Sequence, residues 1–142
     1  MGIKLGEKQL QYMTLFENIS GAPLMDCILP DKDDRVVFLV KKENMSMAIG
    51  KGGFNVKKAR GMIGREVEIV EYCEDPAEFI RKIVAPARVK EIRIVEGKDK
   101  KTAYLKIHAE DKGLAIGRGG SNIEKVRTLA SRHHSIDDVL VV

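Results

Sequence analysis

Cysteine is scarce in this chain of 142 residues, and its scarcity excludes two kinds of structure. Cys27 and Cys73 stand far apart, and neither has a spacing to His108, His133 or His134 that is typical of a metal site. A disulfide framework is equally unsupported. We therefore expect two reduced, half-buried thiols, no metal and no cofactor.

Long apolar runs are missing as well. No stretch approaches the ~20 apolar residues that a membrane-spanning helix needs. The first ten residues, MGIKLGEKQL, lack the apolar core of a signal peptide. The sequence therefore predicts a soluble, cytoplasmic protein.

Neither a strong charge of one sign nor an enzyme motif is present. The chain has 25 Lys and Arg against 21 Asp and Glu, so its net charge is only +4 and supports a polyanionic partner weakly. No G-x-S-x-G or H-E-x-x-H occurs, and no other catalytic constellation is evident. We expect a protein that is not an enzyme.

The chain does contain one short sequence that occurs twice in similar form. Residues 48–56, AIGKGGFNV, return as residues 115–123, AIGRGGSNI. The offset is 117 − 50 = 67 residues, close to half the chain. Each copy has three glycines, a cation after the first glycine, and an asparagine two positions after the last. We call residues 50–53 the first glycine loop and residues 117–120 the second.

The glycine loops do not match either of two common nucleotide-binding motifs. A Walker loop needs a Ser or Thr after its lysine, whereas Lys51 is followed by Gly52. A dinucleotide fingerprint needs a third glycine where the chain has Asn55 and Asn122. A purely structural explanation is that the glycines only allow a tight turn between two helices. Two copies with matched cations instead favour a turn that lets a phosphate backbone approach the chain.

Hydrophobic periodicity places both loops in the same order of elements. The first half predicts a helix over 6–20, strands over 24–29 and 35–40, a short helix over 43–49, a helix from 56 to 63 and a strand over 66–70. The second half predicts a helix from Asp75, strands over 89–95 and 103–109, a short helix over 112–116, a helix around 123–130 and a strand over 136–142. Both halves read α-β-β-α-α-β. The join at 72–75 is too short for a flexible linker, so we expect domains over 1–72 and 73–142 with fixed packing.

These features carry a family resemblance. G-x-x-G between two helices resembles the KH domain, and the order α-β-β-α-α-β resembles its prokaryotic (type II) form. Three segments, Asp75–Ile80, Ala85–Ala87 and Ala115–Arg118, are similar to the second KH domain of the NusA transcription factors. The resemblance runs from about residue 24 to the end and implies an α+β fold of two type II KH domains packed rigidly in tandem. Bacterial members also have a polymerase-binding domain and an S1 domain, for which this chain has no room, so the short archaeal form is the better match.

The resemblance also implies a function. The chain is expected to bind single-stranded RNA as a monomer, and to act in transcription termination or antitermination with RNA polymerase as a further candidate partner. The RNA-contacting positions carried over are Ile49, Gly50, Lys51, Gly52, Gly53, Asn55, Lys57, Lys58, Ile116, Gly117, Arg118, Gly119, Gly120, Ser121, Asn122, Lys125 and Arg127.

Bases would lie in an apolar groove, because aromatic residues make up only 5% of the chain and stacking on rings is expected to be minor. The groove is expected to include Val56, Ala59, Ile123 and Val126, although some of these must be core. Two alternatives stay open. One is a KH protein of ribosome assembly or RNA processing and decay, and the other is a nucleotide-binding enzyme.

Overall fold

The computed structural model describes residues 5–142, which form two compact units. The first unit ends at Cys73 and the second is Glu74–Val142. The first four residues, which belong to the predicted first domain and to the segment searched for a signal peptide, lie outside the described residues. None of the helices within 5–142 is long and apolar enough to cross a membrane.

The first unit follows the predicted order of elements. Its elements are α1 Glu7–Ser20, β1 Asp26–Ile28, β2 Arg35–Lys41, α2 Met45–Ile49, α3 Phe54–Ile63 and β3 Glu66–Tyr72, with short 3-10 turns at Lys42–Asn44 and Lys51–Gly53. Helix α1 is capped by Gly21, which has a left-handed φ of 75° and whose N–H donates to the Glu17 carbonyl over 2.8 Å.

In the first unit, α2 and α3 pack on the same face of the sheet. Its order is β1-β2-β3, with β1 antiparallel and β3 parallel to β2. A parallel neighbour requires a crossover, and here the crossover contains α2, the first glycine loop and α3. The helices pack against β2. The ring of Phe16 in α1 stacks on the ring of Phe38 in β2, with centroids 4.7 Å apart. Ala48 and Ala59 are buried in the same core, so the loop between their helices is held at the edge of a packed layer.

The second unit has the same order. Its elements are α4 Pro76–Val84, β4 Val89–Glu96, β5 Lys101–Ile107, α5 Lys112–Ile116, α6 Ser121–His134 and β6 Asp138–Val141, with 3-10 turns at Ala109–Asp111 and Arg118–Gly120. Helix α4 begins as predicted, because the Asp75 carboxylate accepts a hydrogen bond from the Glu78 N–H over 2.9 Å. The sheet order is β4-β5-β6, again antiparallel and then parallel.

One predicted element ends early. The strand expected over 103–109 stops at Ile107, and Ala109 begins a 3-10 turn. Next to the end of this strand, the His108 N–H donates to the Arg88 carbonyl over 3.2 Å. Beyond it, the Asp111 N–H donates back to the His108 carbonyl over 2.8 Å and turns the chain away from the sheet.

The predicted fold class is confirmed. Both units are α+β with a three-stranded sheet and the order α-β-β-α-α-β. The exact domain limits and the rigid packing of the two domains stay predictions.

Candidate nucleic-acid interface

Each glycine loop joins a short helix to a long one. The first links α2 to α3 and the second links α5 to α6. The backbone angles agree closely: Gly50 has φ 78° and ψ 165°, and Gly117 has φ 78° and ψ 172°. The middle glycines Gly52 and Gly119 have φ of 61° and 62°. The repeated letters therefore encode one repeated backbone shape.

The first glycine of each loop faces a close neighbour. A Cβ on Gly50 would stand 2.8 Å from the side-chain nitrogen of Asn55 and 3.0 Å from its backbone nitrogen. A Cβ on Gly117 would stand 2.7 Å from the Cβ of Asn122. Only glycine combines this close approach with these backbone angles.

One asparagine after each loop forms a hydrogen bond to the short helix before that loop. The Asn55 amide donates to the Met47 carbonyl over 2.9 Å, and the Asn122 amide donates to the Leu114 carbonyl over 3.0 Å. Each bond fastens the start of the long helix to the preceding short helix. The asparagine amides thus hold the loop in shape, a positioning role that the sequence did not indicate.

The first loop also leaves space where a ligand could approach. A Cβ on Gly52 would meet no atom within 4 Å. Helix α3 begins after Gly53 without a side-chain cap, so the N–H groups of its first turn are not covered by a capping side chain. In the second unit, α6 begins after Gly120 and also lacks a side-chain cap. Such a helix start favours an anion by hydrogen bonding and by the helix dipole.

Exposed cations surround the loops. Lys51, Lys57 and Lys58 of the first unit and Arg118 of the second are exposed. No carboxylate within residues 5–142 forms an ion pair with any of these four side chains. Their charge is therefore available to a phosphate. Arg60 differs, because its Nε lies 3.3 Å from Glu66.

Three predicted contact residues of the second unit are buried or held by other groups. The side chain of Lys125 is buried with 1% exposure, and Ser121 is buried with 4%. Arg127 donates from Nε to the Val139 carbonyl over 3.0 Å and lies 3.5 Å from Asp138, so it is fixed to β6. We leave Lys125, Ser121 and Arg127 out of the proposed interface.

A groove runs beside the first loop. It has a volume of about 390 Å³ and is lined by Ile49, Gly53, Val56, Lys57, Arg60, Val67, Glu68 and Ile69. Four of these eight residues are aliphatic, and Ala59 is fully buried in the core and does not line the groove. In the second unit Ile123 and Val126 are likewise core, whereas Ile116 is 42% exposed beside its loop.

An ion-pair network holds the 3-10 turn that precedes α5 and the second loop. Both the backbone N–H and the Nε of Arg88 donate to Asp111 over 2.8 Å, and its Nη2 donates to Glu110 over 2.9 Å. These hydrogen bonds from Arg88 hold the pKa of Asp111 below its usual value. The pKa of Glu110 is also lowered, first by its own backbone N–H and then by Arg88. No sequence motif joins Arg88 to Asp111, and the first unit has Asn44 at the equivalent position of Asp111.

No group of three or more His, Cys, Asp or Glu side chains within 5–142 could hold a metal ion. Cys27 is fully buried and Cys73 is half-buried, both as thiols.

Two family models match the chain, one for each unit. The model described as a KH domain matches residues 11–74, and the model described as a NusA-like second KH domain matches residues 76–137.

Two curated relatives are each called "Probable transcription termination protein NusA". The one from Halobacterium salinarum is 40% identical over 139 residues, which is 98% of this chain and 98% of the relative. The one from Methanocaldococcus jannaschii is 36% identical over 141 residues, which is 99% of this chain and 75% of the relative.

The crystal structure of the protein APE1850 is also similar. It matches with a TM-score of 0.80 and 29% identity, covering 97% of this chain and 100% of its own. With both KH models matched in order and relatives aligned over almost the whole chain, this chain belongs to the NusA family, as a tandem KH protein of the archaeal type.

Proposed function

We propose that this chain binds single-stranded RNA through its two glycine loops and acts in transcription termination or antitermination. The observation that carries the proposal is the pair of loops with matching backbone angles, each opening onto an uncapped helix start. The name of the relatives, which describes a transcription termination protein, supports the cellular role.

Each loop offers the same chemistry to an RNA backbone. Gly52 carries no side chain, so a phosphate can approach the main chain, and the first N–H groups of α3 can donate to its oxygens. Lys51 in the first loop and Arg118 in the second add a mobile positive charge. In the first unit, the aliphatic groove beside Ile49 and Val56 would hold unstacked bases.

Two loops on one chain allow one RNA strand to occupy both. Each loop alone would bind weakly, because a few phosphate contacts contribute little at physiological salt. Once the first site is filled, the second binding event is intramolecular and proceeds at a high effective concentration. The pair then binds an extended strand much more tightly than either loop alone.

The test is a pair of double variants, K51D with G52D and R118D with G119D. Each places a negative charge and a side chain where a phosphate is expected, so each should weaken binding of a single-stranded RNA by at least about tenfold. The matched control is K98D, which reverses one exposed charge in the turn between β4 and β5. Affinity is measured by fluorescence anisotropy, and circular dichroism checks that every variant is folded. Folded double variants that bind RNA like the parent would show that the loops are not the RNA site.

The cellular role needs a separate experiment. A tagged parent chain should recover RNA polymerase subunits and nascent transcripts from cells in which RNA has been crosslinked. Recovery of ribosomal particles or decay enzymes in their place would favour the alternative role in ribosome assembly or RNA processing.

A further inference from the structure

The two units differ on one helix face beside the glycine loop. In the first unit Phe54, Lys58 and Met62 stand at i, i+4 and i+8 of α3 and form what we call the exposed ridge. At the offset of 67 residues the second unit has Ser121, Lys125 and Leu129. The side chains of the second set are buried with 4%, 1% and 0% exposure, whereas Phe54 is 62% exposed and Met62 is 58% exposed.

Phe54 is not part of the core that holds α3 to the sheet. That contact is made by Val56, Ala59 and Ile63, which lie on another side of the helix. Phe54 is the first residue of α3 and follows the first glycine loop directly. A phenylalanine ring that is mostly in water at the edge of a binding loop is a feature that core packing does not explain.

We propose that Phe54 stacks on one base of the bound RNA, next to the phosphate held by the first glycine loop. The inference rests on the proposed function and assigns one of its contacts. It makes the two loops unequal, since Ser121 occupies the same place in the second unit and has no ring.

The neighbours of Phe54 favour RNA over a protein partner. Lys57 and Lys58 follow at i+3 and i+4, so two exposed cations share the helix side with the ring. The Lys57 side chain passes beside the loop, because its Cε is 3.9 Å from where a Cβ on Gly53 would stand. An aromatic ring between a phosphate-binding loop and free cations is the arrangement that binds single strands, with the base on the ring and the backbone on the charges.

The first test replaces the ring by the residue of the other unit. F54S should weaken binding of a single-stranded RNA about tenfold, which is the usual effect of removing one stacked base contact. An abasic site moved along the RNA should weaken binding of the parent wherever a base is contacted, and at one of those positions, the base on Phe54, it should have no effect on F54S. S121A in the second unit is the matched control and should bind like the parent.

The second test uses the absence of tryptophan from the chain. In F54W the new ring is the single tryptophan, so stacking should quench its fluorescence when RNA is added. The quenching should disappear with RNA that carries the abasic site, while affinity for intact RNA stays near that of the parent.

The outcomes separate this inference from the proposed function. If F54S binds like the parent while K51D with G52D loses binding, the stacking contact is wrong and the glycine loop stands. If the parent itself binds no RNA, the proposed function fails. If sedimentation shows that the parent is a dimer which F54S dissociates, the exposed ridge docks a second copy and the stacking contact is overturned.

Discussion

At the scale of single residues, the three glycines of a loop do different things. Gly50 makes room for Asn55, with which any side chain would collide. Gly52 faces open space and needs to be glycine for its backbone angle alone. Asn55 turns this shape into a fixed one by binding the Met47 carbonyl. The glycines of one motif therefore have different roles: Gly50 is needed for the structure, and Gly52 also leaves space for a ligand.

This division predicts different effects of the same substitution. G50A should lower the free energy of unfolding by ~3 kcal/mol, because φ 78° with ψ 165° is open only to glycine and the new Cβ lies 2.8 Å from Asn55. G52A should lower it by about 1–2 kcal/mol, the cost of a left-handed residue without a clash. Urea denaturation followed by circular dichroism measures both.

RNA binding should separate the same two variants. G52A should stay folded at 25 °C and bind RNA more weakly, since its methyl group occupies the space left for phosphate. Equal stability losses in G50A and G52A would contradict the roles assigned to the two glycines.

At the scale of elements, the loops are held by what precedes them. In the second unit, the 3-10 turn at Ala109–Asp111 enters α5, and the pair Arg88–Asp111 fastens that turn to the segment before β4. The first unit lacks this pair, because Asn44 stands where the second has Asp111 and Gly21 stands where it has Arg88. The support by Arg88 and Asp111 therefore belongs to the second unit alone.

The Asp111 pair predicts a dependence of stability on pH. Because hydrogen bonds from Arg88 lower the pKa of Asp111 in the folded state, the stabilising effect of ionised Asp111 is fully present above the unfolded-state pKa of about 4. It is lost as the pH falls through the lowered folded-state value. D111N should therefore melt below the parent at pH 7, and the difference in Tm should shrink at acidic pH.

The control for this experiment is D99N, which removes an exposed carboxylate in the turn between β4 and β5. It should melt like the parent throughout. A difference between D111N and the parent that is the same at both pH values would show that the charge of Asp111 contributes nothing.

At the scale of the whole molecule, the chain is a duplication whose halves have diverged. Both keep the loop, the asparagine and the order of elements, while the helix face after the loop is exposed in one unit and buried in the other. Lys58 and Lys125 show the consequence, because the same residue type at the same repeat position is exposed in the first unit and buried in the second.

Two loops on one chain predict a dependence of affinity on RNA length. A KH domain contacts about four nucleotides, so an RNA long enough for both loops should bind at least about tenfold more tightly than one that fits a single loop. Disabling either loop by the double substitutions should remove this advantage and leave binding of the short RNA by the other loop unchanged. Titration of a length series by anisotropy measures it. An advantage of long RNA that survives in both double variants would contradict a shared strand.

Much of the fold could be predicted from the sequence, because local patterns determine it. The Asp75 cap of α4, the short helix at Lys112–Ile116 and the two glycine turns have strong local signals and are present as expected. The strand over 103–109 was predicted too long, since alternation continues through Ala109 while hydrogen bonding to the neighbouring segment stops earlier.

The candidate interface was harder to predict than the fold. Lys125 and Arg127 follow the second loop with the spacing of exposed cations, yet one is buried and the other is fixed to the Val139 carbonyl. The low aromatic content predicts little stacking, whereas the exposure of Phe54 is a property of one helix face. Helical spacing predicts which residues lie on the same face of a helix, but it does not predict which face is covered by another element.

The two α-β-β-α-α-β repeats and the position of both glycine loops follow from backbone preferences and short-range patterns in the sequence, and segments similar to the second KH domain of the NusA factors carry the resemblance to the family. Which residues around the loops are accessible is visible only in the three-dimensional structure. Accessibility depends on contacts between residues far apart in the chain, such as Arg88 with Asp111 and Arg127 with Val139. Such contacts bury or fasten a side chain without leaving a local mark in the sequence.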